Sequence, residues 1–140
     1  CVDRWRAEVL ELMRTKTVDI VFANTSEVKS LYQTADFATA LEALRADVKL
    51  GVVTRSELGS VVVEGATTVE APAFPVETLV DTTGAGDLFA AGFLAGHARG
   101  ADHAVSARMG ALAAAEIISH VGARPRENLA ALAAANGLKP

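Results

Sequence analysis

The most chemically informative pattern in the sequence is the run Asp81–Phe89, DTTGAGDLF. Two glycines one residue apart, Gly84 and Gly86, let the backbone come close to a ligand. At the start of a helix the amides of Gly84, Ala85, Gly86 and Asp87 would point outward without helical partners. The helix dipole adds roughly half a positive charge at that end, which favours a phosphate. The run therefore predicts an anion-binding site.

Asp87 lies beside this predicted anion site, where a carboxylate would repel a bound phosphate. Its charge makes functional sense if the carboxylate deprotonates a substrate hydroxyl that attacks a phosphoryl group while the amides hold the phosphoryl oxygens. The alternative is structural: Gly84 and Gly86 form a strand-to-helix turn, and Asp87 stabilises the positive helix end. Glycine spacing alone supports the two interpretations about equally.

Two better-known phosphate-binding loops do not fit this chain. The sequence contains no GxxxxGK[ST] pattern, and Phe89 occupies the position that would complete a GxGxxG pattern. Nucleotide hydrolysis of the P-loop type and hydride transfer therefore lose support.

The longer run Asp81–Phe93, DTTGAGDLFAAGF, resembles the C-terminal signature of the ribokinase-like carbohydrate and nucleoside kinases, the PfkB family. The resemblance implies that Asp87 is the catalytic base and that the amides of Gly84–Asp87 form the anion hole for the transferring phosphate. It also implies that Asp81 and Thr83 are ligands of an activating monovalent cation, with K⁺ as the candidate.

Asn24 and Glu27 match a second element of the family, Asn-x-x-Glu. In the family these residues help to hold Mg²⁺ and phosphate, largely through water, which suits a hard cation that keeps its hydration shell. A structural alternative exists, because Asn24 as N-cap with Glu27 at the third helical position is a capping-box variant. The glycine motif further along, in the family's order, favours the metal role and implies ATP and Mg²⁺ as cofactors.

The run Val53–Ser60, VTRSELGS, resembles the family's Thr-x-Gly-x-x-Gly nucleotide loop. Thr54 and Gly59 match this loop, whereas Ser56 stands where the first glycine is usual. The resemblance implies that Thr54 and Gly59 bind the nucleotide. An ordinary hairpin turn is the alternative.

Small residues near the end of the chain resemble the last segments of the family. Gly110 and Ala113 correspond to positions that leave a slot for adenine, and Gly122 to a carbonyl turn that closes the cation site. Small residues on a helix also mark close helix packing, so packing stays open as the alternative for Gly110 and Ala113. His120 is interpreted as a helix-end residue and not as a ligand.

Apolar periodicity predicts the elements that position these residues. Strands are expected at Val18–Phe22, Val48–Val53, Ser60–Val63 and Thr67–Ala71, and helices at Asp3–Arg14, Asn24–Tyr32, Phe37–Leu44, Ala85–Ala98, Asp102–Ser119 and Arg126–Ala135. Strands and helices that alternate early and are followed by helices indicate an α/β layered domain with a largely parallel sheet. The resemblance specifies the ribokinase-like fold, with helices flanking that central sheet.

Composition limits the class of protein. The chain has 140 residues, 51% of them hydrophobic, which fits one modest domain. Its net charge of −4 argues against a nucleic-acid surface. The single cysteine, Cys1, excludes an internal disulfide and favours a reducing compartment, so we expect a cytoplasmic protein with an inert Cys1. No run reaches the roughly 18 apolar residues of a membrane span.

The resemblance covers residues 1–140 as the C-terminal, nucleotide- and phosphate-handling part of a PfkB-type kinase domain. The earlier part, which in the family supplies a lid and most of the substrate contacts, is absent, and the first residue, Cys1, suggests a piece of a longer chain. We therefore expect the 140 residues alone to be inactive.

The function implied is ATP-dependent transfer of the γ-phosphate to a hydroxymethyl group of a sugar or nucleoside. Three stretches, Cys1–Arg4, Val18–Asn24 and Ala113–Pro125, look most similar to an adenosine-kinase-like bacterial branch of the family. The expected partners are a small-molecule sugar or nucleoside and a second copy in a homodimer, with no nucleic acid and no membrane. The alternative function is a non-catalytic nucleotide- or phosphate-binding domain of the same fold.

Overall fold

The computed structural model of the protein describes residues 3–139, so Cys1 lies outside the described residues. In chain order the elements are α1 (Arg6–Arg14), β1 (Ile20–Asn24), α2 (Thr25–Tyr32), α3 (Phe37–Asp47), β2 (Leu50–Thr54), β3 (Ser60–Glu64), β4 (Thr67–Ala71), α4 (Ala85–His97), α5 (His103–Ile118) and α6 (Leu129–Ala135). Each helix and strand expected from the sequence is present, with ends that differ by a few residues. One 3-10 turn, Ser56–Leu58, follows β2.

The four strands form one sheet in the order β1-β2-β3-β4. β1 and β2 are parallel, in a register that runs from Ile20 opposite Leu50 to Asn24 opposite Thr54, and α2 and α3 make the crossover between them. The connections at 55–59 and 65–66 are too short for such a crossover, so the later strands pair as hairpins. The α/β class is confirmed, and the sheet is mixed instead of largely parallel as predicted.

The chain divides into two compact units. The first consists of the residues up to Arg55 together with Val61–Val69, and the second consists of Ser56–Ser60 and the residues from Glu70 onward. The core of the first unit is built from apolar faces of its helices and strands, and its most buried members are Leu10, Met13, Val28, Leu31, Ala40, Leu44, Val48, Val53, Val61 and Val63.

The second unit is organised around close packing of α4 on α5. A Cβ atom at Gly92 would lie 2.6 Å from the Met109 carbonyl oxygen, and one at Gly110 would lie 2.7 Å from the Phe89 carbonyl oxygen. These glycines let the two helix backbones approach more closely than larger residues would. Between residues 3 and 139, no helix is long and apolar enough to cross a bilayer.

Candidate active site

The glycine-rich run forms the N-terminal end of α4, as the sequence predicts. Gly84 is the N-cap residue and has a left-handed backbone, with φ +82° and ψ 0°, a conformation that glycine adopts without steric cost. Its carbonyl oxygen accepts the first helical hydrogen bond from the Leu88 N–H at 2.9 Å. The turn before it is closed by the Ala85 N–H, which donates to the Thr82 carbonyl oxygen at 3.2 Å.

Three of the four amides predicted for the anion hole are available to a ligand. Among residues 3–139, the N–H groups of Gly84, Gly86 and Asp87 have no hydrogen-bond acceptor. The Ala85 N–H donates within the turn instead, and the role of Ala85 in the anion hole stays a prediction. A Cβ atom at Gly86 would meet no atom of residues 3–139 within 4 Å, so the described part of the chain leaves the space beside these amides open.

Asp87 lies in the first turn of α4 and is exposed. Within the part of the chain that the structure describes, its carboxylate forms no hydrogen bond and no ion pair. Apart from its interaction with the helix dipole, the carboxylate therefore has no structural partner here. It is free to accept a proton from a ligand held at the neighbouring amides.

Asp81, Thr83 and Gly122, all predicted for the monovalent cation, are brought together in the second unit. The Asp81 carboxylate accepts the Thr83 N–H at 2.9 Å and the Gly122 N–H at 3.2 Å. Hydrogen bonds from the Thr83 side chain, then from the Thr83 and Gly122 N–H groups, hold the pKa of Asp81 below its usual value. An ionised carboxylate is a ligand that a hard cation accepts.

Asn24, Glu27 and Thr54 meet at one edge of the sheet in the first unit. Asn24 and Thr54 are opposite each other where the parallel strands β1 and β2 end, and the Thr25 hydroxyl donates to the Thr54 carbonyl oxygen at 3.3 Å. Ligands of open α/β sheets bind outside the carboxyl ends of such strands. Thus the strand pairing places three predicted nucleotide and metal residues together.

The capping box that the sequence offered as an alternative is formed. Asn24 Oδ1 accepts the Glu27 N–H at 2.9 Å, and Glu27 Oε2 accepts the Asn24 N–H at 2.8 Å. Both side chains are exposed, and Glu27 Oε1 accepts no hydrogen bond from the described residues. A capping role and binding to a hydrated Mg²⁺ ion are therefore compatible.

The loop after β2 takes left-handed backbone at two positions. Ser56, which replaces the family's usual glycine, has φ +52°, and Gly59 has φ +87°. A Cβ atom at Gly59 would lie 2.1 Å from the Ala71 carbonyl oxygen, so only glycine fits. Ser56 thus takes a backbone conformation that favours glycine. Gly59 is required for a structural reason, the close approach of the Ala71 carbonyl oxygen.

Gly110 and Ala113, predicted for the adenine slot, are buried on α5. Close packing explains Gly110, because the Phe89 backbone and ring of α4 leave no room for a side chain there. This contact favours the packing alternative for Gly110, and the adenine role of both residues stays a prediction.

Glu116 was missed in the sequence, although its i,i+4 spacing from His120 was a signal for a pair. Its side chain is 6% exposed, and Oε1 accepts the N–H groups of Arg126 at 2.8 Å and Glu127 at 3.1 Å, together with His120 Nε2 at 3.0 Å. Burial acts to raise the pKa of Glu116, but these hydrogen bonds outweigh burial and hold the pKa below its usual value. His120 follows the end of α5, as its interpretation as a helix-end residue requires.

Residues 3–129 match the family model described as pfkB family carbohydrate kinase. The matched range includes the whole sheet and the glycine-lined start of α4. The chain belongs to the pfkB family of carbohydrate kinases.

Similar proteins include both nucleoside and sugar kinases. The chain is 40% identical over 108 residues to a cytidine kinase from Thermococcus kodakarensis, covering 75% of this chain and 38% of that protein. It is 53% identical to the structure of adenosine kinase from Sinorhizobium meliloti, with a TM-score of 0.95, covering 97% of this chain and 42% of that one. It is 29% identical to Arabidopsis thaliana ribokinase complexed with ribose and ATP, with a TM-score of 0.73, covering 81% and 38%. The chain thus spans about two fifths of the length of these relatives.

Proposed function

We propose that this chain is the nucleotide- and phosphate-handling part of an ATP-dependent kinase that transfers the γ-phosphate to a hydroxymethyl group of a sugar or nucleoside. The observation that carries the proposal is the first turn of α4, where the N–H groups of Gly84, Gly86 and Asp87 and the carboxylate of Asp87 have no partner among the described residues. Donors for a phosphoryl group and a base for an attacking alcohol are the two functions that phosphoryl transfer to a hydroxyl requires.

In the proposed reaction Asp87 accepts the proton of the substrate hydroxyl as its oxygen attacks. A bond forms between this oxygen and the γ-phosphorus, the bond from phosphorus to the bridging oxygen breaks, and ADP leaves. The amides of Gly84, Gly86 and Asp87 hold the charge of the phosphoryl oxygens throughout. Because these donors are fixed by the backbone, they need no reorganisation at the moment of transfer.

Residues of the first unit are proposed to hold the metal and part of the nucleotide. Asn24 and Glu27 supply hard oxygen ligands for a hydrated Mg²⁺ ion, which would neutralise phosphate charge when bound. Thr54 lies opposite Asn24 in the parallel pair of β1 and β2, and we propose it as a nucleotide contact. We propose Gly59, Gly110 and Ala113 as nucleotide contacts on the basis of the family resemblance alone.

A monovalent cation, with K⁺ as the candidate, is proposed at Asp81, Thr83 and Gly122. The hydrogen bonds that hold these residues together support this assignment, since an ionised carboxylate is kept beside the turn that leads into Gly84. A bound cation there would add positive potential near the amides of α4.

The substrate is proposed to be a nucleoside ribose or a free sugar, and the adenosine-kinase-like branch is the narrower proposal. High identity to the Sinorhizobium meliloti adenosine kinase supports that branch, and the cytidine kinase supports a nucleoside more broadly. A non-catalytic phosphate-binding domain is the competing proposal. The free carboxylate of Asp87 disfavours it, because an acid beside an anion site weakens simple anion binding.

The test is an ADP-release assay of the full-length protein with adenosine, cytidine, inosine, ribose and fructose, each with and without K⁺. We expect release stimulated by at least one of these alcohols. Asp87→Asn should keep the fold and ATP binding but lower kcat by about 10²–10⁴-fold, the range of general-base catalysis. Asp102→Asn is the matched control, because Asp102 caps α5 through a hydrogen bond from the Val105 N–H that asparagine can also accept. Turnover of Asp87→Asn at the level of Asp102→Asn would refute the assignment.

A further inference from the structure

The segment between α5 and α6 is anchored by one buried carboxylate. Glu116 is 6% exposed, and its Oε1 accepts hydrogen bonds from the backbone N–H groups of Arg126 and Glu127 and from His120 Nε2. Hydrogen bonds to an ionised acceptor are about twice as strong as neutral ones. Glu116 therefore fixes both ends of residues 120–127 to the last turn of α5.

The same segment touches the glycine-rich run at two points. The Gly122 N–H donates to Asp81 Oδ2 at 3.2 Å, and a Cβ atom at Gly84 would lie 3.0 Å from Ala123 Cβ. Just before the segment, the Ile118 carbonyl oxygen accepts the Val80 N–H at 2.8 Å. Residues 120–127 therefore lie next to the N-cap residue of α4.

The position of Gly84 determines where the free amides of α4 point. Gly84 is the left-handed N-cap residue at which the chain enters α4. The Gly86 and Asp87 amides belong to the helical turn that begins directly after it. Ala123 lies on the side of Gly84 where a Cβ atom would point, and Gly84 has no side chain of its own to hold it. Mobility of the segment would therefore be transmitted to the amides.

We propose that Glu116 is a positioning residue that holds residues 120–127 against Gly84 and thereby fixes the anion-binding amides of α4. The effect on catalysis rests on the proposed kinase function. The mechanical link, by which Glu116 holds residues 120–127 and thereby the α4 amides in place, does not. Glu116 makes no contact with the reacting groups in this assignment and acts only through the backbone of the segment.

Three variants of the full-length protein separate this role from others. Glu116→Leu removes the acceptor while keeping a buried side chain of similar size. Glu116→Gln keeps a neutral acceptor, and it breaks no hydrogen bond at Oε2, which is buried without a partner among the described residues. Glu127→Gln is the matched control, because it loses one carboxylate at an exposed side chain but keeps the N–H that Glu116 binds.

The first measurement is hydrogen–deuterium exchange of the peptides 119–127 and 82–88, with a β2 peptide as internal reference. Within 82–88 the readout is exchange at the hydrogen-bonded amides of Ala85 and Leu88. Glu116→Leu should raise exchange about tenfold or more in both peptides, Glu116→Gln by a smaller factor of about two to three, and Glu127→Gln in neither. Increased exchange in 119–127 with unchanged exchange in 82–88 would overturn the proposal. If Glu116→Leu does not fold, Glu116→Gln decides, and exchange equal to wild type in both peptides overturns it.

The second measurement is steady-state kinetics on the same proteins. Glu116→Leu should lower kcat/KM about tenfold with a share of the loss in kcat, Glu116→Gln should recover most of it, and Glu127→Gln should match wild type. Equal kinetics for Glu116→Leu and wild type would also overturn the proposal. A wild-type protein without kinase activity would refute the proposed function and leave the exchange result to decide the mechanical link.

Discussion

The two glycines of the anion site differ in backbone conformation, and this difference separates a ligand-binding role from a structural turn. Gly84 has φ +82°, and a side chain there would approach Ala123 Cβ at 3.0 Å, whereas Gly86 lies within α4 at negative φ with nothing near a Cβ atom. An alanine at each position therefore gives opposite effects on stability. A loss of activity in both variants is expected only if the two glycines form a ligand-binding site.

For Gly84→Ala we expect a loss of about 1–2 kcal/mol in the free energy of unfolding from left-handed backbone alone. For Gly86→Ala we expect a gain of about 0.5–1 kcal/mol, because alanine favours the helix and restricts the unfolded chain. The new methyl group of Gly86→Ala would occupy the open space where a phosphate oxygen must approach the amides. Disturbing such a donor costs about 10²–10³-fold in kcat, so kcat/KM should fall by a similar factor.

The assay combines chemical denaturation with ADP-release kinetics and calorimetric binding of ADP by the full-length protein. Gly100→Ala is the matched control for backbone strain, since Gly100 has φ +82° with nothing near a Cβ atom and lies in the turn after α4. It should lose about 1–2 kcal/mol and keep full kcat/KM. A stabilised Gly86→Ala protein with wild-type kinetics and ADP affinity would show that the glycine serves only the turn, and the anion-site reasoning would be refuted.

Three further outcomes follow from the geometry. Ser56 has a left-handed backbone, which costs a side-chain-bearing residue free energy. Ser56→Gly should remove this cost and raise the free energy of unfolding by up to about 1 kcal/mol; an unchanged or lower value in denaturation would contradict strain at Ser56. Gly110→Ala should destabilise by about 1–3 kcal/mol through overpacking, since its Cβ would lie 2.7 Å from the Phe89 carbonyl oxygen; a stable protein that only loses ATP affinity would favour the adenine role instead. Because the pKa of Glu116 lies below its ordinary value of 4.5, its stabilising contribution is present above that pH and is lost as pH falls through the lowered pKa. The stability difference between wild type and Glu116→Gln should therefore shrink in denaturation at acidic pH, and a difference that is constant with pH would contradict the assignment.

Local patterns were sufficient to locate the strands and helices and the glycine-rich run. Alternation and apolar runs depend on near neighbours, and β4, Thr67–Ala71, was predicted with its exact bounds. The capping box of Asn24 and Glu27, the structural alternative to the metal role, is also a local pattern, and both of its hydrogen bonds are formed. The sheet is mixed because β2, β3 and β4 are joined by short connections, and the expected hairpin already pointed away from a largely parallel sheet.

Specific hydrogen bonds and backbone angles account for what the sequence missed in the site. The N–H of Ala85 is taken by Thr82 because the chain turns sharply there, and no spacing rule reports that hydrogen bond. The serine at position 56 has a left-handed backbone, which its residue type does not predict. The buried Glu116 collects donors up to eleven positions away, as with the Glu127 N–H.

The amino-acid sequence by itself determined the family, the helix end with its glycines, and the carboxylate of Asp87 beside them, since these depend on a short contiguous run. Only the tertiary structure decided which amides are free, how Asn24 comes to face Thr54, and what supports Gly84 from behind. The physical reason is that hydrogen-bond partners and steric contacts are set by the packing of segments far apart in the chain, which local spacing does not encode.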